Sequence, residues 1–358
     1  LEEQRERARL RIRLERLFEV MQHKGDSECR NGISSVLGGA DELCDFEKFE
    51  NLALERWGET SECYQGMFAD WVPHLGPDCI SERSYARYAL VEGLREQRRL
   101  GVNPFQFGLM ASTDTHNALA GGVAEKTFPG HLGTADAFAT QRTARDPAIA
   151  GNTSNNPGGL IGIWAEQNSR DSLFSAMRRR EVFGTSGPRI RPRLFASWTF
   201  PPDLCEDNDM IAKAYDLGVP MGQELLSDGP HSAPVFLATA LRDPGTATSP
   251  GGLLERIQII KGWADEQGRT HQSIHEVAGA VRGADVDRET CTPRGPGSDS
   301  LCGRWQDPDF DPAQEAVYYA RVVENPSCRY SGWQCLEIPE NLRPAACSDG
   351  SVDQIQQE

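Results

Sequence analysis

The sequence predicts an α/β fold with a long loop-rich insertion, followed by a mainly β region. A helix, a turn, a strand and a polar loop follow one another between residues 81 and 117. Residues 25–80 are rich in Gly, Asp, Glu and Cys and show little periodicity, which is typical of a stapled insertion. After Pro188, short apolar runs alternate with Pro and Gly. We therefore expect an α/β portion over residues 1–190 and a mainly β region over 191–358.

The elements of the α/β portion follow from periodicity. Residues 1–13 predict a charged helix, and the apolar run 14–21 predicts a strand. Residues 81–101 predict a second helix, with Ser81 as its cap, apolar residues at helical spacing and a glycine just after its end. Residues 105–111 alternate as a strand does, and the polar segment STDTHN follows directly. In α/β folds the chemistry lies where strands end, so this polar segment is a candidate site.

Later segments predict further elements. The apolar run 160–164 indicates a strand, and Ser169 can cap the next helix. Leu173, Phe174 and Met177 have the spacing of a buried stripe on that helix, which favours core packing over a cofactor site. In the mainly β region, strands are expected over residues 193–200, 234–240 and 256–261.

Ten cysteines without a C-x-x-C pair favour disulfides over a zinc ribbon or a thioredoxin-like motif. Disulfides persist in oxidising compartments, so we expect a periplasmic or extracellular protein. Connectivity cannot be derived from the sequence, and pairing of sequence neighbours is only a default. That default joins Cys29 with Cys44, Cys63 with Cys79, Cys291 with Cys302, and Cys328 with Cys335.

The net charge of −16 disfavours nucleic acid and anionic lipid as partners, because both require a positive surface. Solubility is the ordinary explanation of such a charge. The sequence contains no apolar run of about 18 residues, so it predicts no membrane span. The chain opens on Leu1 in a charged stretch, which fits either a cleaved export signal or a cut within a longer protein.

Two segments carry candidate metal ligands. In Asp114-Thr115-His116 the carboxylate and the imidazole occupy alternate positions, and both ligand types suit Zn, Mn or Fe. A hydrogen-bonded loop pair is the alternative. In FEVMQHKGDSECR, four potential ligands follow an apolar run and could complete a site, although spacing alone favours a solvated turn: Glu19, His23, Asp26 and Glu28.

Other catalytic classes are poorly supported. The sequence has neither a G-x-S-x-G nucleophile elbow nor a G-x-x-x-x-G-K phosphate loop. His271 and His275 are one helical turn apart, but their segment has the pattern of strand–turn–strand, so we interpret both as surface residues.

Several long segments resemble a large bacterial family catalogued as domain of unknown function 3604. They are QRRLGVNPFQFGLMASTDTHNALAGG, GIWAEQNSRDSLFSAMRRREVFGTSGPRIRPRLFASW, LLERIQIIKGW and AVYYARVVENPSCRY, and FEVMQHKGDSECR fits the same family. The resemblance spans about residues 18–330. That family in turn looks like a branch of the PHP (polymerase and histidinol phosphatase) superfamily.

The resemblance implies the C-terminal part of a PHP-like distorted α/β barrel with metal ions at the strand ends. STDTH is similar to the last PHP metal motif, S-D-x-H, with one extra residue. It implies that Asp114 and His116 hold a divalent Zn, Mn or Fe ion, with Glu19 and His23 as additional ligands. The expected function is a metal-dependent hydrolase, most simply a phosphoesterase acting on a small-molecule phosphoester. Arg189, beside GTSG, could face an anionic leaving oxygen, or be a surface cation.

One departure from the PHP pattern matters. The sequence has no H-x-H, the early metal motif of that superfamily. This favours a truncated or processed chain that keeps its own N-terminal fragment bound as a partner. It also supports an alternative function, a non-catalytic binding or assembly protein that retains the fold without a complete metal site.

Overall fold

A computed structural model describes residues 1–33, 36–48, 84–145, 152–153, 155–227, 233–247, 249–350 and 354–357. Its helices are α1 Glu2–Leu14, α2 Ala86–Leu100, α3 Ala139–Arg142, α4 Arg170–Arg179, α5 Met210–Leu217 and α6 Tyr330–Glu337. Its strands are β1 Leu17–Gln22, β2 Gly25–Asp26, β3 Val36–Leu37, β4 Gly108–Ala111, β5 Leu160–Ile163, β6 Val182–Thr185, β7 Arg191–Ser197, β8 Val219–Pro220, β9 Val235–Leu241, β10 Leu254–Ala264, β11 Thr270–Gly279, β12 Asp285–Asp287, β13 Thr292–Arg294, β14 Ser300–Gln306, β15 Ala316–Glu324, β16 Ser327–Cys328 and β17 Ile355–Gln356.

The first sheet is small and holds the ends of two predicted strands side by side. Its order is β2-β1-β4, and β1 runs parallel to β4 from the pair Leu17 and Gly108 to the pair Met21 and Ala111. The antiparallel pair of β5 and β6 packs beside it, since a Cβ at Gly184 would lie 2.8 Å from the carbonyl carbon of Met110. The fold is therefore mixed α/β with several small sheets. Over the described residues no barrel closes, so the finer expectation of a PHP-like barrel is not confirmed.

Two larger sheets occupy the second half of the chain. Their strand orders are β15-β10-β11-β3 and β14-β9-β7-β8. They share a core in which Ile257 and Ile259 of β10 pack with Phe236 and Ala238 of β9 and with Leu194 of β7. Strand β3 comes from the predicted insertion and pairs with β11, so the two halves of the chain are joined by a shared sheet.

The structure tests the predictions for two helices, α2 and α4. The helix predicted over 81–101 begins at Ala86 and ends at Leu100, while its predicted cap, Ser81, lies outside the described residues. In α4 the Ser169 side chain caps the first turn by accepting from the Ser172 amide, as predicted. The predicted stripe of α4 is wrong for Phe174, which is 60% exposed, because the helix buries only Ala176.

Four disulfides join the cysteines of the described residues, and the default pairing is right for one of them. Cys29–Cys44 is confirmed, whereas the Cys63–Cys79 prediction falls outside the described residues. The predicted Cys291–Cys302 and Cys328–Cys335 bonds are wrong, and the bonds formed are Cys205–Cys302, Cys291–Cys328 and Cys335–Cys347.

The default pairing fails because tertiary structure, and not distance along the chain, selects the cysteine partners. Strand β14 carries Cys302 next to the 204–206 turn, 97 residues away in sequence from its partner Cys205. Every cysteine in the described part of the chain is paired. Such disulfide use indicates a compartment outside the reducing cytoplasm. Within the described residues, no helix has the length and apolar character needed to cross a membrane.

Candidate functional site

The parallel pairing of β1 and β4 brings two predicted site segments to one edge of the first sheet. His23 follows β1 and the segment Ser112–His116 follows β4. The backbone holds them together, since the His23 amide donates to the Thr113 carbonyl at 3.3 Å and the Ser112 amide donates to the Met21 carbonyl at 3.0 Å. Carboxyl ends of parallel strands are where α/β proteins place ligands.

Three of the predicted site residues meet at this edge. The Asp114 Oδ2 atom lies 3.3 Å from the His23 Nε2 atom, and the His116 ring lies edge-on to the His23 ring with centroids 5.6 Å apart. Asp114 has φ of +47°, a left-handed conformation that non-glycine residues seldom adopt. Such strain is a feature of functional sites and here turns the chain so that the carboxylate faces His23.

A fourth residue, His131, was missed by the sequence analysis. Its ring is 2% exposed, and its centroid lies 4.7 Å from that of His23. The His131 carbonyl accepts from the His116 amide at 2.9 Å, which ties the two loops together. Asp136 fixes the turn by accepting from the amides of His131 at 2.5 Å and Leu132 at 2.8 Å. We call His23, Asp114, His116 and His131 the histidine cluster.

The hydrogen bonds of His131 define its tautomer. Its Nε2 atom contacts the carbonyl oxygen of Asn156, which can only accept, so Nε2 carries the proton. The Nδ1 atom then holds a bare lone pair, and it is buried without a hydrogen-bond partner. Burial lowers the pKa of His131, which keeps the ring neutral. A neutral, buried imidazole with an unused lone pair is the state in which histidine binds a metal.

His23 is held in a matching way. Its Nδ1 atom lies 2.9 Å from the Asn155 Oδ1 atom and donates to that oxygen, so its Nε2 lone pair faces the Asp114 carboxylate. Two acceptor atoms at 3.3 Å are stabilised only by a positive charge between them, either a proton or a metal ion. Orientation of a ligand imidazole through its other nitrogen is the usual arrangement around bound metals.

The segment that orients both imidazoles is buttressed from the C-terminal part of the chain. Arg329, which is 4% exposed, donates to the Asn155 carbonyl at 2.9 Å and to the Thr153 carbonyl at 3.1 Å. The Tyr330 hydroxyl donates to the same Asn155 carbonyl at 2.9 Å. The Glu47 carboxylate accepts from the Nε and Nη2 atoms of Arg329 at 2.5 and 2.9 Å.

The two remaining predicted residues lie differently. Glu19 accepts from the Ser112 hydroxyl and from the Gln22 amide at 3.4 Å, so it braces the β4 end rather than contacting the histidines. Arg189 is exposed, and its backbone amide donates to the Asp243 carboxylate at 2.8 Å. No contact described in the structure joins the Arg189 side chain to the histidine cluster.

Lys24 is the cation nearest the candidate ligands in sequence. Its ammonium donates to the Ser27 hydroxyl, and burial lowers its pKa. The nearby carboxylates of Asp26, Glu19 and Asp114 oppose that shift, which places Lys24 among the acids of the site.

The ligand atoms of the histidine cluster are more widely spread than those of a closed metal site. Among the described residues, three potential ligand atoms lie within 4.8 Å of one another only at Cys29, Asp41 and Cys44. That group is not a metal site, because its two sulfurs form a disulfide and have no thiolate to offer.

A cavity among the described residues lies elsewhere. It has a volume of about 680 Å³ and lies between the first sheet and the two larger sheets. Phe107, Leu109, Val182 and Phe236 are among its lining residues, and no member of the histidine cluster is. It is mostly apolar, so we place the candidate chemistry at the histidine cluster and not in this cavity.

The chain belongs to the family described as protein of unknown function DUF3604, which matches residues 2–356. This confirms the family resemblance seen in the sequence, while membership of the PHP superfamily stays a prediction. Neither a curated protein nor a solved structure matches the chain.

Proposed function

We propose that this DUF3604 protein is a metal-dependent hydrolase whose metal is held by the histidine cluster. One observation carries the proposal, the bare and buried Nδ1 lone pair of His131, in a ring whose centroid lies 4.7 Å from that of His23. His23 Nε2, Asp114 Oδ2 and His131 Nδ1 are the atoms that would bind the ion, with His116 as a further ligand. Imidazole and carboxylate ligands suit Zn, Mn or Fe.

Such an ion, when bound, acidifies a water molecule to a nucleophile near neutral pH and polarises the bond to be cleaved. The protein's own residues orient the ligands. Asn155 and Asn156 set the proton positions on the imidazoles of His23 and His131, and Arg329 holds Asn155 in place.

Phosphoesters are the proposed substrates, with a small-molecule phosphoester as the simplest case. Lys24, close to the Asp114 and Glu19 carboxylates, supplies a positive charge that would attract an anionic group into an otherwise acidic site. The disulfides fit a periplasmic or extracellular setting for this reaction.

The spread of the ligand atoms favours a second candidate, a binding or assembly protein with an incomplete metal site. Metal analysis of the purified chain distinguishes the two. The hydrolase predicts a stoichiometric transition metal and chelator-sensitive cleavage of p-nitrophenyl phosphate or bis(p-nitrophenyl) phosphate. A chain that takes up no transition metal and cleaves neither compound would favour the binding protein.

His131 provides the sharpest variant for this test. Replacing it by alanine removes the buried lone pair, so we expect metal occupancy and hydrolysis to fall together by at least about tenfold, or 1.4 kcal/mol. His271→Ala is the matched control, because that histidine lies on β11 and bonds to Asp265. Equal metal content in the two variants would remove His131 from the site.

A further inference from the structure

The cavity between the first sheet and the two larger sheets has room for a ligand. Its volume is about 680 Å³, and small-molecule pockets usually measure about 300–1,000 Å³. Protein interiors are close-packed, and voids much larger than a water molecule are few. The lining is mostly apolar and includes Phe107, Leu109, Leu194 and Phe236. A ligand that fills this space must therefore have an apolar body.

A buried cation in the lining lacks a counter-charge among the described residues. Arg180 follows α4, is 9% exposed and lines the cavity. Its Nε atom donates to the Gly222 carbonyl at 2.7 Å, and its Nη1 atom donates to the Gln106 carbonyl at 3.2 Å. Within the described part of the chain, its Nη2 atom has no acceptor and no carboxylate forms an ion pair with it. A guanidinium has five N–H donors, so donors of Arg180 remain for a ligand.

Two further charged groups of the lining do not neutralise Arg180. Arg321 is paired with Glu28. Glu224, whose charge favours the Arg180 cation, is exposed and accepts from the Gln106 side-chain amide instead of pairing with it. Burial lowers the pKa of Arg180, but a guanidinium keeps its proton in proteins. Unlike a carboxyl group, Arg180 cannot become neutral, so an anion is what would stabilise it.

The backbone holds this arginine in an unusual conformation. Arg180 has φ of +65°, at the end of a helix where glycine is the common residue. A Cβ at Gly108 would lie 3.0 Å from the Arg180 Cβ atom, and a Cβ at Gly222 would lie 2.2 Å from the Arg180 carbonyl oxygen. The start of β4 and the loop after β8 can therefore close on Arg180 only because both positions lack a side chain. Backbone strain at a residue other than glycine is a feature of functional sites.

We propose that this cavity binds an amphipathic monocarboxylate, with its carboxylate on Arg180 and its apolar body among the phenylalanine and leucine side chains. The planar guanidinium matches a carboxylate, which can accept two N–H groups side by side. A neutral ligand would leave the Arg180 charge unpaired, and a small hydrophilic anion would leave the apolar lining uncovered. The site is separate from the histidine cluster, none of whose members lines the cavity.

Calorimetric titration of the whole chain tests the proposal with decanoate, kept below its micelle concentration, and with decyl alcohol as the matched uncharged ligand. We expect saturable binding of decanoate, at least about tenfold tighter than binding of the alcohol. Arg180→Met keeps an apolar stem and removes the charge, so its affinity for decanoate should fall to about that for the alcohol. Arg191→Met is the control, because Arg191 is exposed and lies outside the lining.

A second variant fills the space and keeps the guanidinium. Leu109→Trp should weaken the binding of both ligands, which tests the site even where Arg180→Met folds poorly. Asp114→Asn should bind decanoate as the wild type does, because Asp114 lies in the histidine cluster. Wild-type protein that binds no decanoate would overturn the proposal. So would undiminished decanoate binding by Arg180→Met or Leu109→Trp, or decanoate binding that is lost in Asp114→Asn.

Discussion

Two groups of polar residues each include one residue from the segment after β1, and they differ in how far their hydrogen-bonding capacity is used. The histidine cluster includes His23, and Glu28 begins the second group only five residues later. In the second group, Arg87 donates to Glu28 at 2.6 Å and to Asp41 at 2.7 Å. Arg321 donates to both Asp41 oxygens at 2.9 Å. We call Arg87, Arg321, Glu28 and Asp41 the arginine cluster.

The arginine cluster is saturated. Tyr319 both donates to Glu28 at 2.5 Å and accepts from Arg87 at 2.7 Å, and Gln258 accepts from Arg321 at 2.6 Å. It ties the disulfide loop of Cys29 and Cys44 to α2 and β15. The histidine cluster instead keeps a bare nitrogen and two facing acceptors. Unfilled hydrogen-bonding capacity, rather than the number of charged residues, therefore distinguishes a candidate binding site from a structural network.

The largest effect is expected from breaking the arginine cluster. Arg321→Met leaves Glu28 and Asp41 short of a buried counter-charge, which costs about 3–5 kcal/mol in comparable networks. Urea unfolding should show this loss. The exposed ion pair of Arg7 and Glu3 is the control, and Arg7→Met should shift the unfolding midpoint little. Equal shifts would mean that the buried network does not stabilise the fold.

A change in the histidine cluster should weaken metal binding with little effect on the stability of the fold. Asp114→Asn keeps the shape of the side chain and removes its charge, so we expect metal occupancy to fall at least about tenfold, or 1.4 kcal/mol. Unfolding should change little, because the Asp114 side chain is 47% exposed. Asp171→Asn, exposed on α4, is the control for loss of a charge. Unchanged metal content in Asp114→Asn would remove it from the ligands.

Loss of the contact that orients His23 should weaken metal binding by about as much as Asp114→Asn does, or slightly less. Asn155→Ala removes the acceptor that orients the His23 ring, and loss of such a partner costs about tenfold in metal affinity at the low end of the usual range. Metal titration followed by competition with a chelator would measure it. A variant with wild-type affinity would show that the ring is oriented by its other neighbours alone.

The arginine cluster should also make the stability of the fold depend on pH. Burial acts to raise the pKa of Glu28, but Arg321 and Arg87 override it and lower the pKa to about 2 from 4.5. The folded state therefore holds the ionised form more tightly than the unfolded chain does. That contribution is complete above pH 4.5 and is lost as the pH falls towards 2. Thermal unfolding of Glu28→Gln should lack this slope between pH 4.5 and 2, and a slope identical to that of the wild type would assign it to other carboxylates.

The local elements, the family and part of the candidate site could be predicted from the sequence. Apolar periodicity predicted the helix that begins at Ala86 and the strands β1 and β4, because these patterns depend on neighbouring residues alone. The order of strand and polar loop pointed to Asp114 and His116, since strand ends are where such ligands gather.

The remaining site residue, the ion pairs and most of the disulfide pairs depend on tertiary structure. His131 lies in a segment without the apolar periodicity of a helix or a strand, and only the fold brings its ring against that of His23. Glu28 was grouped with Glu19 and His23 by proximity in sequence, yet it pairs with arginines 59 and 293 residues away. Cys302 likewise found Cys205 across 97 residues. Spacing along the chain carries no information about such long-range partners, because burial and the packing of distant strands select them.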